Sequence, residues 1–335
     1  GAPTALKDVT VNAKKEKNVV VKTNNDDDNI VSIGDEVTFT IEVKVPYIDW
    51  ATVKAPAKFI VHDKITGAAY KDLSTATATM DNTTVPDVSF SQGVKTDEKD
   101  ETNTFSVDLS SLVNNKNNQN AGKTVVLTYK AEITAVDEIK NTASAGNEDD
   151  TDLYGDPVDD RLYTGTIELL KYDADVGSNT AGGALSGAQF EVYMKNKDNS
   201  QTKLKFTGES GSYTWDKNSA DTSKDTLDVG TEGNNKGKLN VTGLPQGDYV
   251  FKEVKAPEGY RIGENPDTSV VLKLDEGTSK ASGDLIKNDV TVANSKLSSL
   301  PSTGGIGTTI FTVGGCAIMI IAAALFFASR RKSSK

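Results

Sequence analysis

The chain has 335 residues, room for two domains and a tail. A formal net charge of -11 disfavours nucleic acid as a partner, and a single histidine, His62, excludes most Ser-His, Cys-His and multi-histidine zinc chemistry. The one cysteine, Cys316, lies in an apolar tail, so disulfides cannot staple the rest and an extracellular chain of this kind needs another source of robustness. The chain begins Gly1, Ala2, Pro3 without a signal peptide, which reads as a trimmed or fragmentary start.

In chain order, residues 1–14 form a short N-terminal segment in which Val9 and Val11 lead to Lys14. Strand-like alternation then begins. Lys22 is in phase with Val20, and Val37, Phe39, Ile41 and Val43 alternate with polar neighbours. Asp63 is in phase with Phe59 and Val61, which puts His62 on the opposite, exposed face. Val125, Leu127, Tyr129, Ala131 and Ile133 share one face, and Asn141 is in phase with Ile139 and Ala143. Asn147 to Asp160 is rich in Asp, Glu, Gly and Pro and marks a boundary. Beyond it Lys171 shares a face with Ile167 and Leu169, Glu253 with Tyr249 and Phe251, and Asn294 with Val290 and Val292. Leu170, Val250 and Val254 make the opposite faces partly apolar, so parity alone leaves the facing open. Acidic clusters at Asp26 to Asp28 and at Glu148 to Asp150 with Asp152 do not fit an EF-hand loop and read as solvated loops.

The pattern predicts an all-β protein of two tandem Ig-like β-sandwiches, residues 15–158 and 159–296, followed by a C-terminal transmembrane helix. The tail, 297–335, holds a hydrophobic segment, 306–328, with an uncharged apolar run from Ile310 to Ala328. Nineteen residues at ~1.5 Å per residue give roughly 28 Å of helix, enough to cross a bilayer core. Arg330, Arg331 and Lys332 then provide a cytoplasmic stop.

If the polar members of these faces point inward, each sandwich buries a lysine, a carboxylic acid and an asparagine. The alternative is that they sit at strand ends with their polar heads in water. Burial lowers a lysine pKa and raises that of a carboxylic acid. A neutral amine is a nucleophile, and a protonated acid can polarise a carboxamide and pass a proton to departing ammonia. The product of such a set is a Lys–Asn isopeptide bond.

The tail, Leu300, Pro301, Ser302, Thr303 and Gly304 followed by an apolar segment and a basic stop, resembles the LPxTG sorting signal of Gram-positive surface proteins. An ordinary tail anchor is the alternative. Tyr249, Phe251, Glu253, Ala256, Pro257, Gly259 and Tyr260 resemble the E-box, YxLxETxAPxGY, of CnaB-type pilin domains, with Phe251 for Leu and Val254 for Thr. Leu185, Gly187, Ala188, Phe190 and Tyr193 resemble that domain's LxGAxFxxY segment with its tyrosine in place. Residues 22–23, 33–41, 61–63 and 141–143 are similar to the middle domain of sortase-assembled backbone pilins.

The resemblance implies Lys171 as nucleophile, Asn294 as acceptor and Glu253 as catalytic acid in the second domain, and Lys22, Asn141 and Asp63 in those roles in the first. It implies cleavage by sortase after Thr303 and linkage of that carbonyl to a lysine near the N-terminus of the next subunit. Lys14 takes the place of the pilin-motif lysine of WxxxVxVYPK, although Asn12 and Ala13 replace Tyr and Pro. Lys15 and Lys17 are rivals, and a merely basic terminus is the alternative. Backbone pilins usually carry a further N-terminal domain, so a fragment or a shortened pilin is expected. The expected function is a covalently polymerised pilus shaft subunit on a Gram-positive cell wall. Its partners would be sortase, identical subunits and peptidoglycan, with a host surface or matrix as a further candidate. No metal, no cofactor and no turnover chemistry are expected. A wall-anchored adhesin or minor pilin displayed singly is the second reading.

Overall fold

Alternation of apolar and polar side chains decides the longer strands of the first half. The computed structural model describes residues 18–53, 56–93, 103–136, 138–146, 155–218, 220–274, 286–297 and 307–332. The first half lays down β1 (Val20–Asn24), β2 (Ile30–Val31), β3 (Glu36–Lys44), β4 (Ile60–Thr66), β5 (Ala68–Tyr70), β6 (Thr77–Met80), β7 (Thr83–Thr84), β8 (Phe90–Gln92), β9 (Thr104–Asp108), β10 (Thr124–Ile133) and β11 (Glu138–Gly146). Then come β12 (Val158–Asp173), β13 (Gln189–Lys195), β14 (Gln201–Lys203), β15 (Phe206–Glu209), β16 (Ser212–Trp215), β17 (Leu227–Asp228), β18 (Lys238–Leu244), β19 (Gly247–Lys255), β20 (Tyr260–Arg261), β21 (Asp267–Leu272) and β22 (Lys287–Lys296). The fold is mostly β, as the sequence predicts.

Two hydrophobic cores result. The first lies between the sheet β1-β3-β10-β6-β7 and the strands β11-β4-β9-β8. Phe39, Ile41, Phe59, Val61, Phe105 and Leu127 fill it at 2% exposure or less. The second lies between β15-β16-β18-β12, with β22 beside β12, and β14-β13-β19-β21. Ile167, Leu169, Phe190, Leu239, Tyr249 and Phe251 fill that one. In β3 and β10 every second side chain turns inward, the period-2 rule at work.

β12 begins at Val158, inside the stretch read from composition as a boundary, and runs unbroken through both halves. Its start pairs with β11 from Val158 to Tyr163, and its end pairs with β22 from Thr166 to Asp173. Leu162 belongs to the first core and Ile167 to the second. Contacts remote in sequence brace the junction: Lys217 pairs with Asp35, Gln246 donates to Asp28, and Ile33 N–H donates to Gly243 C=O at 3.2 Å. Asp26 and Asp28 accept Ile30 N–H at 3.0 and 2.9 Å, so this acidic cluster caps a turn. The second cluster, around Glu148 to Asp152, lies outside the described residues.

His62 departs from expectation. It is half-buried, because β4 is flanked on both edges by β11 and β9. Burial lowers its pKa. A C-terminal helix, α1 (Gly307–Lys332), forms where predicted. Among the described residues no helix is long and apolar enough to cross a membrane.

Gly165 sits at the register shift where β12 passes from one sheet partner to the next. A Cβ there would lie 2.3 Å from Leu272 Cδ2 and 2.8 Å from Leu244 O. Leu272 is itself buried and cannot swing away. Gly165→Ala is therefore expected to destabilise by about 1–3 kcal/mol, although Gly→Ala at an open site stabilises. Thermal unfolding of the variant beside the parent measures this, and an equal or higher midpoint would contradict the packing described.

Candidate functional site

Lys22, Asp63, Asn141, Lys171, Glu253 and Asn294 are all buried, at 7% exposure or less. Strand parity aims each one inward, and the two halves assemble them from different directions. In the first half Lys22 comes from β1, while Asp63 and Asn141 come from β4 and β11 of the facing sheet. In the second half Lys171 and Asn294 come from the neighbouring parallel strands β12 and β22, with Asp173 beside Asn294 in register. Glu253 reaches them from β19 in the opposite sheet.

Around Lys22 the contacts are close. Its Nζ donates to Asp63 Oδ2 and, at 2.6 Å, to Tyr129 Oη. Asn141 Nδ2 donates to the same Tyr129 Oη at 2.8 Å, and Tyr70 donates to Asp63 Oδ1 at 2.7 Å. Burial drives the Lys22 pKa down and the Asp63 pKa up, each opposed by the attraction between them. Both groups thus move toward their neutral forms, reached when the ammonium proton passes to the carboxylate. The Nζ lies over the Phe39 and Tyr129 rings, 5.6 and 5.2 Å from their centroids.

Around Lys171 the carboxyl is the centre. Glu253 Oε1 lies 3.9 Å from Lys171 Nζ, and its Oε2 accepts from Asn294 Nδ2 at 3.2 Å. Lys171 Nζ donates to Val292 C=O at 3.0 Å, and Asn294 Nδ2 also donates to Arg261 C=O. Burial lowers the Lys171 pKa to about 8, against the pull of Glu253 and Asp173, and it raises that of Glu253.

Asn141 Oδ1, Asn294 Oδ1 and Glu253 Oε1 are buried without a hydrogen-bond partner among the described residues. A buried orphan acceptor costs about 1–3 kcal/mol. In both clusters the orphan includes the acceptor amide's carbonyl oxygen, the atom that would take charge if an amine attacked its carbon. A neutral amine, a protonated acid and an electrophilic carboxamide in a dry pocket are the ingredients of amide exchange with loss of ammonia.

Tyr129 and Tyr70 are functional candidates that the period-2 reading missed. Period-2 reading places Tyr129 on the inward face of β10 and says nothing of its hydroxyl. The available signal was a phenol on a face otherwise made of Val, Leu, Ala and Ile, since a buried tyrosine hydroxyl needs a partner. Lys14, Lys15, Lys17 and the pentapeptide Leu300, Pro301, Ser302, Thr303 and Gly304 lie outside the described residues.

The lowered pKa of Lys171 has a consequence for stability in a chain that cannot form the bond. In Asn294→Ala, the folded state binds fewer protons than the unfolded state between about 8 and the ordinary 10.5. Stability should therefore rise as pH is raised through that window, by ~1–3 kcal/mol. Urea midpoints at about pH 7.5 and about pH 10 test this. The double variant Lys171→Met/Asn294→Ala should lack the rise, and an equal rise in both would remove Lys171 as its source.

Residues 165–284 match the SpaA family model, a prealbumin-like fold domain, and residues 293–335 match the LPXTG cell wall anchor motif. No curated protein matches the chain in sequence. Among solved structures, the group B streptococcus pilus 2b backbone protein aligns at a TM-score of 0.53 and 20% identity, over 83% of this chain and 98% of that one. The Corynebacterium diphtheriae major pilin SpaA aligns at 0.52 and 18% identity, over 84% and 69%. The full-length Streptococcus pneumoniae pilus protein RrgB aligns at 0.55 and 15% identity, over 86% and 74%. These likenesses establish the fold. Residues 165–284 thus match a SpaA-type prealbumin-like domain, and residues 293–335 an LPXTG cell wall anchor motif, on a chain whose fold is that of Gram-positive pilin backbone proteins.

Proposed function

We propose that the chain is a structural subunit of a cell-wall-anchored pilus, built from two tandem domains, 15–158 and 159–296. Sortase cleaves after Thr303 and joins that carbonyl to the amine of Lys14 on the next copy, and the last subunit is joined to peptidoglycan. Within each domain an intramolecular bond forms once, Lys22 to Asn141 and Lys171 to Asn294, assisted by Asp63 and Glu253.

One observation carries this reading: two separate dry interiors each hold a lysine, a carboxyl and an asparagine whose amide oxygen lacks a partner. Chance burial of one such set is costly, and two sets in a chain with a wall-anchor motif have a common chemical use. For the SpaA pilin of Corynebacterium diphtheriae, which shares the fold, stabilizing isopeptide bonds accompany a modular pilus assembly. Each bond closes a loop of roughly 120 residues, worth about 4–5 kcal/mol in a chain-entropy treatment borrowed from disulfides. Such links supply what the missing cysteines cannot, and they give pulling force a covalent path past most of the strand hydrogen bonds.

Intact mass of the folded chain tests the internal bonds. The expected deficit is one ammonia per bond, two in all. Asp63→Ala and Glu253→Ala should each restore one, and a wild-type chain at full mass would refute the scheme. Polymerisation is tested in cells carrying the cognate sortase, where Lys14→Ala should abolish the high-mass ladder. A ladder that persists assigns another lysine, and a wild type without any ladder favours a singly displayed adhesin.

A further inference from the structure

The two clusters solve the same problem with different atoms. In the second half one carboxyl faces both reactants: Glu253 Oε1 lies 3.9 Å from the Lys171 amine, and its Oε2 holds the Asn294 amide. In the first half Asp63 contacts Lys22, and no hydrogen bond joins it to Asn141 among the described residues. The group that touches both reactants there is Tyr129, whose Oη receives Lys22 Nζ at 2.6 Å and Asn141 Nδ2 at 2.8 Å. Its ring is held by edge contacts with Phe105 and Tyr70, at 4.8 and 5.7 Å between centroids, and stacks on Phe39 at 5.8 Å. The hydroxyl is therefore fixed between the attacking nitrogen and the leaving nitrogen.

We propose that Tyr129 is a catalytic residue of the Lys22–Asn141 condensation, relaying a proton from the lysine nitrogen to the departing amide nitrogen. This rests on the isopeptide reading above. Lys22 first gives its ammonium proton to Asp63. The neutral Nζ attacks Asn141 Cγ, forming the Nζ–Cγ bond and putting negative charge on Oδ1. Nδ2 loses its amide resonance in that intermediate and becomes a proton acceptor, so its contact with Oη reverses direction. Nζ passes one proton to Oη while Oη passes its own to Nδ2. The Oδ1 electron pair re-forms the carbonyl, the Cγ–Nδ2 bond breaks, and ammonia leaves. The phenol ends as it began, and no oxidant or reductant is needed. Burial raises the Tyr129 pKa, which keeps the relay proton on the oxygen until it is taken. Tyr70, whose hydroxyl donates to Asp63 Oδ1 and to neither reactant, has no part in the transfer.

The full chain, recovered in denaturant with both lysines free, is diluted into folding buffer. Each bond is then followed by mass mapping of linked peptides. Tyr129→Phe should slow the Lys22–Asn141 link by about 100-fold or more, the scale of acid–base assistance. Tyr70→Phe deletes a neighbouring buried hydroxyl and should change it by no more than a few-fold. The Lys171–Asn294 link should form at the parent rate in both and reports folding of the same molecules. A Tyr129→Phe chain that links Lys22 at the parent rate overturns the proposal, as does a Tyr70→Phe chain slowed equally. A wild type that never links Lys22 to Asn141 fails the underlying reading instead. Should Tyr129→Phe not fold, the wild type itself decides in mixtures of light and heavy water. Two protons in concerted flight give a curved dependence of the Lys22 rate on deuterium fraction, and a linear dependence overturns the relay.

Discussion

A lysine side chain enclosed at 0% exposure, with a carboxyl close by and an asparagine carbonyl left unpaired among the described residues, is the constraint around which each half of this chain is arranged. Water would hydrate the ammonium and carboxylate and hold both charged. Its exclusion moves the two groups toward neutrality, and only the neutral pair offers a nucleophile and an acid together. The aromatic and aliphatic walls, Phe39, Phe105 and Tyr129 on one side and Phe190, Tyr249 and Phe251 on the other, maintain that dryness. On the proposed function the hydrophobic cores would set the reactivity as well as the stability.

The two clusters lie differently within their sandwiches. Lys22 and Asn141 belong to facing sheets, so their bond would cross the core. Lys171 and Asn294 stand on adjacent parallel strands of one sheet, so theirs would lock neighbours. β12 connects the two arrangements, because its start pairs with the strand of Asn141 and its end carries Lys171. With both bonds formed, a load entering at β1 and leaving at β22 would bypass residues 23–140 and 172–293 and be carried between the clasps by residues 142–170. The junction braces, Lys217 to Asp35 and Gln246 to Asp28, would then govern bending between the halves more than extension.

Much of this was legible in the sequence because β-structure writes itself with a period of two. Val37 to Val43 and Val125 to Ile133 announced both strands and faces, and the same parity turned Lys22, Asp63, Asn141, Lys171, Glu253 and Asn294 inward. Parity failed where a second influence acted. His62 has the outward phase, yet its strand lies between two others and the side chain is half-covered. Tyr129 has the inward phase and the apolar character of a core residue, so its hydroxyl contacts, which depend on strands 12 and 107 positions away, left no local trace. The junction contacts join residues as far as 182 and 218 positions apart and depend on the docking of the two halves, which no periodicity encodes. Val158 to Asp160 read as loop from its acidic composition, and pairing with β11 made it strand.

The most direct test of the central claim is an electron-density map of the mature protein at atomic resolution around Lys22 and Lys171. Covalent closure predicts continuous density from each Nζ to the Cγ of Asn141 and Asn294 at amide C–N length, about 1.33 Å, with no density for the displaced Nδ2. Two separate side chains at hydrogen-bonding distance, each with its own terminal nitrogen, would contradict it.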